Sequence, residues 1–375
     1  MDKVKETLRE KDISKDLLSS IESTLEDTGV KTILVTSSKM TSNMINAGIS
    51  SILEHKIRFV HTLGSAACYS DKRTIELAIK LTVKKNHIVV TTPDNLYLCG
   101  NKTCLNDCIT KTGKVKIVSR YTESLDIAKD NPDNQIVLLS SGYEKDIPAL
   151  AGTIIEAKNK NIENLSVIVN HKLLAPAIRN FLGSNINIDG YMAPGDNAII
   201  TGTHSWQFIP EEYHIPVVIS GFDSKEFLYA LDILLKQIQT GNNRVENAYS
   251  ALVNEKGNPL AQEKTFKVFR PKTSIWRGYG LIPFSGLAFN EDYAEFDALK
   301  KYELPAITDL NERCLSECIL ANKNTPEDCS LYKKECRPSM PIDSLMAIEN
   351  GICRLYYLTD KCLKSDITSF KDVIE

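Results

Sequence analysis

Short runs of apolar, β-branched residues alternate with amphipathic stretches through the first two thirds of the chain. Such runs are typical of buried strands, and the stretches between them are typical of helices that pack on a sheet. The clearest predicted helices cover residues 71–85, 147–160 and 224–239. The predicted strands cover residues 31–37, 57–62, 87–92, 115–120, 135–141, 165–170 and 216–221. The alternation predicts βαβ units, and therefore an α/β protein with parallel sheets.

Two Rossmann-like domains fit the number of predicted strands better than one very wide sheet. We place their boundary near residue 125, which gives a first α/β domain over 1–125 and a second over 126–260. The alternation then stops, and the segment 261–375 is predicted to be a loop-rich, cysteine-rich third domain. A small segment with little hydrophobic core needs an additional cross-link to be stable, and a bound metal would supply one.

Composition and charge exclude several kinds of partner. A net charge of −3 and a pI near 6.1 give no electrostatic footprint for nucleic acid. No stretch approaches the ~18 uninterrupted apolar residues that a membrane span requires. The first twelve residues are charged throughout and lack the apolar core of a signal peptide. We therefore expect a cytoplasmic protein that binds neither nucleic acid nor membrane.

Ten cysteines carry most of the candidate chemistry. Six of them crowd into the last sixth of the chain, at Cys314, Cys318, Cys329, Cys336, Cys353 and Cys362. Thiolates bunched in this way select iron–sulfur clusters or zinc over hard cations. Disulfides belong to oxidising compartments, so we expect reduced thiols and favour a metal at the C-terminal group. A redox dithiol pair and buried structural cysteines are the alternatives.

Three more cysteines, Cys99, Cys104 and Cys108, share the loop after the third predicted strand, and the tenth is Cys68. Because function collects at the C-terminal ends of parallel strands, we expect that loop to open toward Cys68. The four thiols are a candidate second site for a metal, zinc included, or for a cluster. The alternative is a variable loop with incidental cysteines.

Two further polar residues follow predicted strands. Glu144 comes after residues 135–141, and His171 comes after residues 165–170. With Cys68, they are the candidates for catalytic groups, although the sequence leaves enzymatic activity undecided. The structural alternatives are a helix cap for Glu144 and a packing or capping role for His171.

Many short motifs occur in an order that is specific to one family. The most specific is W-R-G-Y-G-L-I-P-F-S-G-L over residues 276–287. Further matches cover residues 170–173, 175–177, 190–195, 221–223, 245–250, 257–259 and 293–298. This order resembles the HypD family, the iron–sulfur scaffold proteins that help build the Fe(CN)2CO unit of [NiFe]-hydrogenases.

The resemblance spans nearly the whole chain and implies two α/β domains followed by a cluster-bearing domain. It also implies a small chaperone, HypC, and the cyanide donor, HypE, as partners. Four cysteines match the family positions that hold a [4Fe–4S] cluster: Cys314, Cys329, Cys336 and Cys353. Four is the number of thiolates that such a cube requires. We expect Trp276 and Arg277 to lock the third domain onto the others.

The chain departs from the family at four cysteine positions. Ser37 stands where the family's C-G-T-H-T motif has its iron-anchoring cysteine, and Ser65 replaces one cysteine of G-P-G-C-P-V-C. Ser316 and Leu345 stand where the family has its redox pair. A serine hydroxyl is a poor ligand for Fe(II), and a dithiol relay needs two thiols.

Two functions therefore remain open from the sequence. The first is a HypD-like scaffold that assembles a metal centre and supplies electrons from its cluster. The second is a diverged paralogue that keeps the cluster for structure or electron transfer, binds another ligand or protein, and is inactive in Fe(CN)2CO assembly. The motif order favours the first, and the lost thiols favour the second.

Overall fold

The three-dimensional description rests on a computed structural model of the chain. It describes residues 2–53, 55–101, 103–184, 186–308 and 312–363, with side chains from residue 15 to residue 358. Eleven strands lie in the described residues: β1 (Lys31–Val35), β2 (Ile57–His61), β3 (His87–Thr91), β4 (Val115–Ile117), β5 (Gln135–Ser140), β6 (Leu165–Val169), β7 (Gly190–Pro194), β8 (Val217–Ser220), β9 (Val245–Asn247), β10 (Phe269–Trp276) and β11 (Gly280–Phe289).

Helices connect most of these strands. They are α1 (Asp2–Thr28), α2 (Ser38–Asn46), α3 (Ile49–Leu53), α4 (Lys72–Val83), α5 (Leu105–Thr112), α6 (Glu123–Asp130), α7 (Ile147–Asn159), α8 (Leu174–Leu182), α9 (Gly195–Thr201), α10 (Phe208–Tyr213), α11 (Ser224–Thr240), α12 (Pro259–Val268), α13 (Ala298–Lys301), α14 (Ser316–Leu320), α15 (Ser344–Ala347) and α16 (Ile352–Leu363). Short 3-10 helices cover Ala66–Tyr69, Pro93–Asn95, His204–Trp206, Glu291–Phe296 and Pro326–Asp328.

The first of two compact units combines the described residues of 1–64, 179–257 and 355–375. Its sheet is parallel, with strand order β2-β1-β7-β8-β9. Helix α11 packs on this sheet, where Leu231, Leu234 and Leu235 join the buried strand residues in one core. Asp223 begins the helix by accepting backbone N–H bonds, as an N-cap residue does. Gly241 ends it in the left-handed conformation, at φ 67°.

The second unit combines residues 65–178 and the described residues of 258–354. Its parallel sheet has strand order β4-β3-β5-β6. Alternate residues of these strands face two separate cores: Val90 and Leu138 face one, and Val89 and Val137 face the other. Because both faces are covered, the strands are apolar throughout, which is why they are recognisable in the sequence.

The α/β class and the parallel sheets are confirmed. The seven predicted strands correspond to β1–β6 and β8, and the three predicted helices correspond to α4, α7 and α11. The strands do not divide at residue 125, however. β1 and β2 share a sheet with β7–β9, and β1 pairs with β7, because the chain builds the whole second sheet, β3–β6, before it returns to complete the first. Local alternation indicates strands, but it carries no information about so distant a partner.

The segment after residue 260 also differs from a separate third domain. It begins with helix α12 and the antiparallel hairpin β10–β11, whose Phe269, Leu287 and Phe289 enter a core of the second unit. The cysteine-rich residues up to Arg354 belong to the same unit. No helix among the described residues is long and apolar enough to cross a membrane.

Candidate functional site

Four free cysteines from separate segments belong to the second unit. Cys314 precedes α14, Cys329 follows the 3-10 helix Pro326–Asp328, and Cys353 lies in the first turn of α16. Burial raises the pKa of Cys353, and Asp343 and the thiols of Cys314, Cys336 and Cys329 raise it further. Ionisation of any of the other three thiols would therefore further disfavour ionisation of Cys353.

The surroundings of these thiols are largely closed to water. Cys329 and Cys336 are buried, and Cys314 and Cys353 are half-buried. Burial raises the pKa of both Cys314 and Cys336, so both thiols are protonated near neutral pH without a bound cation. The backbone N–H of Ile342 donates to Cys336 Sγ over 3.5 Å. Such N–H donors accompany thiolates that bind metal clusters.

The four thiols do not converge on one point. Among the residues that the structure describes, no three His, Cys, Asp or Glu side chains are grouped closely enough to hold a single metal ion. A mononuclear zinc site therefore does not fit this arrangement. A [4Fe–4S] cluster takes four cysteine thiolates, one on each iron atom, and these four cysteines supply that number of donors.

A buried ion pair lies next to this group. The guanidinium of Arg277 donates to both carboxylate oxygens of Asp343, at 3.2 and 2.5 Å, and also to Ser316 and Ser344. Burial alone would raise the pKa of Asp343, but Arg277 more than offsets this and lowers the value to about 2. The pair is therefore ionised, and it connects the hairpin β10–β11 to the cysteine-bearing segment.

The predicted lock at Trp276 and Arg277 is visible in these contacts. The Trp276 ring lies 5.5 Å from the Tyr69 ring, and Arg277 N–H donates to Tyr69 O over 3.1 Å. The sequence reasoning did not identify Asp343, the partner of Arg277. Its position between Cys336 and Cys353 in the sequence was the available signal.

The positions of the missing redox pair lie beside the same ion pair. Ser316 accepts a hydrogen bond from Arg277, and the backbone N–H of the buried Leu345 donates to Asp343 Oδ1 over 3.1 Å. Cys68 is buried and free, and burial raises its pKa to about 12 although Arg277 opposes the shift. A serine, a leucine and a protonated thiol therefore surround Arg277, and no dithiol is present among these three residues.

The candidate second metal site is not formed. Cys99 and Cys104 are joined by a disulfide, so two of the four expected ligands bind each other. The physical reason is that they are partners in an antiparallel bridge, with their Cα atoms 4.0 Å apart. Cys108 is turned into the core below, where it packs with apolar residues such as Leu105, and Cys68 lies beside Arg277 instead. The expectation of reduced thiols also fails at this loop.

Glu144 contacts the start of a helix, but of α8 rather than of α7, the next helix that the sequence alternative had it cap. Its Oε1 accepts the backbone N–H of Leu174 over 2.7 Å, at the start of α8. A carboxylate at this position satisfies one of the N–H groups that a helix leaves open.

His171 is fully buried, and neither ring nitrogen has a hydrogen-bond partner within the described part of the chain. Burial, with a smaller contribution from Lys145, lowers its pKa to about 3. Its ring lies edge-on to Tyr121 at 6.1 Å. The residue is therefore a neutral imidazole near physiological pH.

The loops that follow β3, β4 and β5 share a cavity of about 710 Å³. Its lining includes Asp94, Tyr121, Ser141 and Lys145. In the strand order β4-β3-β5-β6, the chain moves outward in opposite directions from β3 and β5. Ligands of open α/β sheets bind at such a point, so this edge is the second candidate site of the unit.

Comparison with known proteins identifies the family. Residues 12–360 match the family model HypD, described as the hydrogenase formation hypA family. The hydrogenase maturation factor HypD2 of Bradyrhizobium diazoefficiens is 31% identical over 320 residues, which cover 83% of this chain and 84% of that protein. A putative hydrogenase expression/formation protein of Methanocaldococcus jannaschii is 30% identical over 312 residues, 83% of this chain and 87% of that protein.

The hydrogenase maturation factor HypD of Escherichia coli is 29% identical over 314 residues, 83% of this chain and 84% of that protein. Both the family model and the relatives therefore cover most of the length of the chain. This chain belongs to the HypD family of hydrogenase maturation factors.

Proposed function

We propose that this protein carries a [4Fe–4S] cluster on Cys314, Cys329, Cys336 and Cys353 and takes part in assembling a hydrogenase metal centre. The observation that carries the proposal is that four free cysteines of one compact unit, two of them buried and two half-buried, stand at the positions that match the family's cluster ligands. Four cysteine thiolates are the donor set of such a cube. The relatives' names, which concern hydrogenase maturation, support the biological role.

The chain's own residues would prepare this site in three ways. The Arg277–Asp343 pair fixes the segment between Cys336 and Cys353, the Ile342 N–H donates to Cys336 Sγ, and burial excludes water. When bound, a [4Fe–4S] cluster supplies one-electron redox chemistry. Because binding requires deprotonated thiols, the raised pKa values couple loading of the site to proton release.

We do not propose that Ser37 binds iron. Its Oγ accepts the Met40 N–H over 3.3 Å and begins helix α2, so the side chain serves as a helix cap. We therefore do not expect this chain to replace a relative that has a cysteine there. We propose HypC-like and HypE-like proteins as its partners within its own cell.

Deletion of the gene in the host organism tests the role. We expect lower hydrogenase activity, and recovery when the wild-type chain is restored. Cys329→Ser should fail to restore activity, because the cluster needs all four thiols. Cys108→Ser is the matched control, since Cys108 is also a buried free cysteine but lies outside the group, and it should restore activity.

Unchanged hydrogenase activity after deletion would contradict the maturation role. If the purified chain nevertheless held a cluster, the diverged paralogue would become the better interpretation. Equal restoration by Cys329→Ser and the wild type would show that the four thiols do not serve this function.

A further inference from the structure

The disulfide between Cys99 and Cys104 differs from the two other cysteines of the neighbouring sequence, Cys68 and Cys108, in its exposure. Both residues are half-exposed, whereas Cys68 and Cys108 in the same unit are buried. The two partners are only five positions apart. A disulfide that closes so short a loop removes less entropy from the unfolded chain than one that closes a long loop, so it contributes less to stability.

Hydrogen bonds already hold this loop without the disulfide. Gly100 N–H donates to Thr103 O over 3.1 Å, and Asn101 N–H donates to Glu76 Oε2 over 2.9 Å. At the end of the loop, the Cys104 N–H donates to Asp107 Oδ2 over 3.0 Å. None of these bonds involves a sulfur atom, so opening the disulfide does not itself break them.

We propose that Cys99 and Cys104 form a redox-active disulfide that exchanges electrons with a dithiol of another protein. The inference is independent of the cluster, because none of the cluster cysteines takes part. Both residues are half-exposed, and access for an incoming thiolate is the first requirement for exchange.

The exchange balances as follows. A thiolate of the partner attacks one sulfur of the pair, the Cys99–Cys104 bond breaks, and a mixed disulfide forms while the other cysteine leaves as a thiolate and takes up a proton. The second thiol of the partner then attacks the mixed disulfide and releases the chain's second thiol. Two electrons and two protons reach Cys99 and Cys104, and the partner is left with a disulfide.

Cys104 immediately precedes helix α5. This position affects which of the two cysteines is the leaving thiolate in the first step of the exchange. The open N–H groups of the first helical turn favour a thiolate there, whereas the nearby Asp107 carboxylate opposes it. Cys108 lies one turn further on, and its Sγ is 3.6 Å from Cys104 O. It belongs to the same loop and helix but not to the disulfide, which makes it the natural control.

Thiol labelling of the full-length protein tests the proposal. Protein purified without reductant is incubated with reduced thioredoxin, alkylated, and analysed by mass spectrometry of its peptides. We expect Cys99 and Cys104 to gain label together after this treatment, with Cys68 and Cys108 unchanged. If thioredoxin adds no label, and the pair opens only in denatured protein, the disulfide is structural and the proposal fails.

A thioredoxin that lacks its second cysteine supplies the complementary test, because it cannot complete the exchange and stays attached. We expect it to form a covalent complex with the wild type and with Cys108→Ser, and at least tenfold less with Cys99→Ser/Cys104→Ser. The double variant should keep the wild-type urea midpoint. A marked fall in that midpoint would identify a structural staple and overturn the proposal.

Discussion

Cysteines that come from four separate segments remain free in the C-terminal region, whereas three neighbouring cysteines of the 99–108 loop do not form a common site, because two of them are joined by a disulfide. Cys314, Cys329, Cys336 and Cys353 come from four segments and remain free thiols within electrostatic range of one another. In the loop, two of three neighbours form a disulfide and Cys108 turns into a core. Cysteines that are close together in the sequence therefore do not by themselves define a thiol site. The site depends on how the backbone positions their side chains.

The contacts that hold the backbone in place also differ between the two regions. A buried ion pair, Arg277–Asp343, fixes the C-terminal group, and its two members come from distant parts of the chain. The loop depends on backbone hydrogen bonds to its neighbour Glu76 in α4 and within itself. A change to the first kind of support should cost more than a change to the second.

The largest effect is expected for Arg277→Gln. This change leaves the buried Asp343 carboxylate without its cation, and breaking a buried pair typically costs about 3–5 kcal/mol. Arg313→Gln is the matched control, because its pair with Glu335 is exposed and such pairs contribute about 0–1 kcal/mol. Urea unfolding of both variants measures the free energies, and equal losses would show that the Arg277 pair does not support the C-terminal region.

A smaller effect is expected in the loop, for Gly100→Ala. A Cβ at Gly100 would lie 2.2 Å from Glu76 Oε2 and 2.9 Å from Glu76 Cα, so the loop must move away from α4. Overpacking of this kind costs about 1–3 kcal/mol. Gly152→Ala is the control, since nothing lies within 4 Å of its Cβ position, and a helical alanine there should leave stability unchanged or raise it. Thermal unfolding distinguishes the two variants; no difference between them would mean that Gly100 does not need its close approach.

The smallest effect concerns the positions where the chain has exchanged family cysteines for serines. Ser37 and Ser65 both precede a helix with the same backbone angles, φ −128° and ψ 116°, but Ser37 alone makes a side-chain cap bond. Ser37→Ala should cost about 1 kcal/mol, because it removes an N-cap. Ser65→Ala should stay within about 0.5 kcal/mol of the wild type. Equal costs would mean that Ser37 is not held by its helix.

The hydrophobic pattern predicted the α/β class and most of the strands, because strands covered on both faces are apolar throughout. It missed β7 (Gly190–Pro194), whose glycine and proline hide the strand pattern. It also placed β1 and β7 in different domains, since strand pairing across so long an insertion leaves no local signal. At the site, the family resemblance supplied the four cysteines, but Asp343 and the Cys99–Cys104 bridge depend on backbone approach that spacing does not encode.

The most direct test of the central claim is the iron and acid-labile sulfide content of the chain purified without oxygen. The account predicts about four of each per chain, as a cube on four cysteines requires. Cys329→Ser should lose both, whereas Cys318→Ser, which changes a free thiol of the same segment outside the group, should keep both. One zinc without sulfide, or unchanged iron and sulfide in Cys329→Ser, would contradict the assignment of a [4Fe–4S] cluster to these thiols.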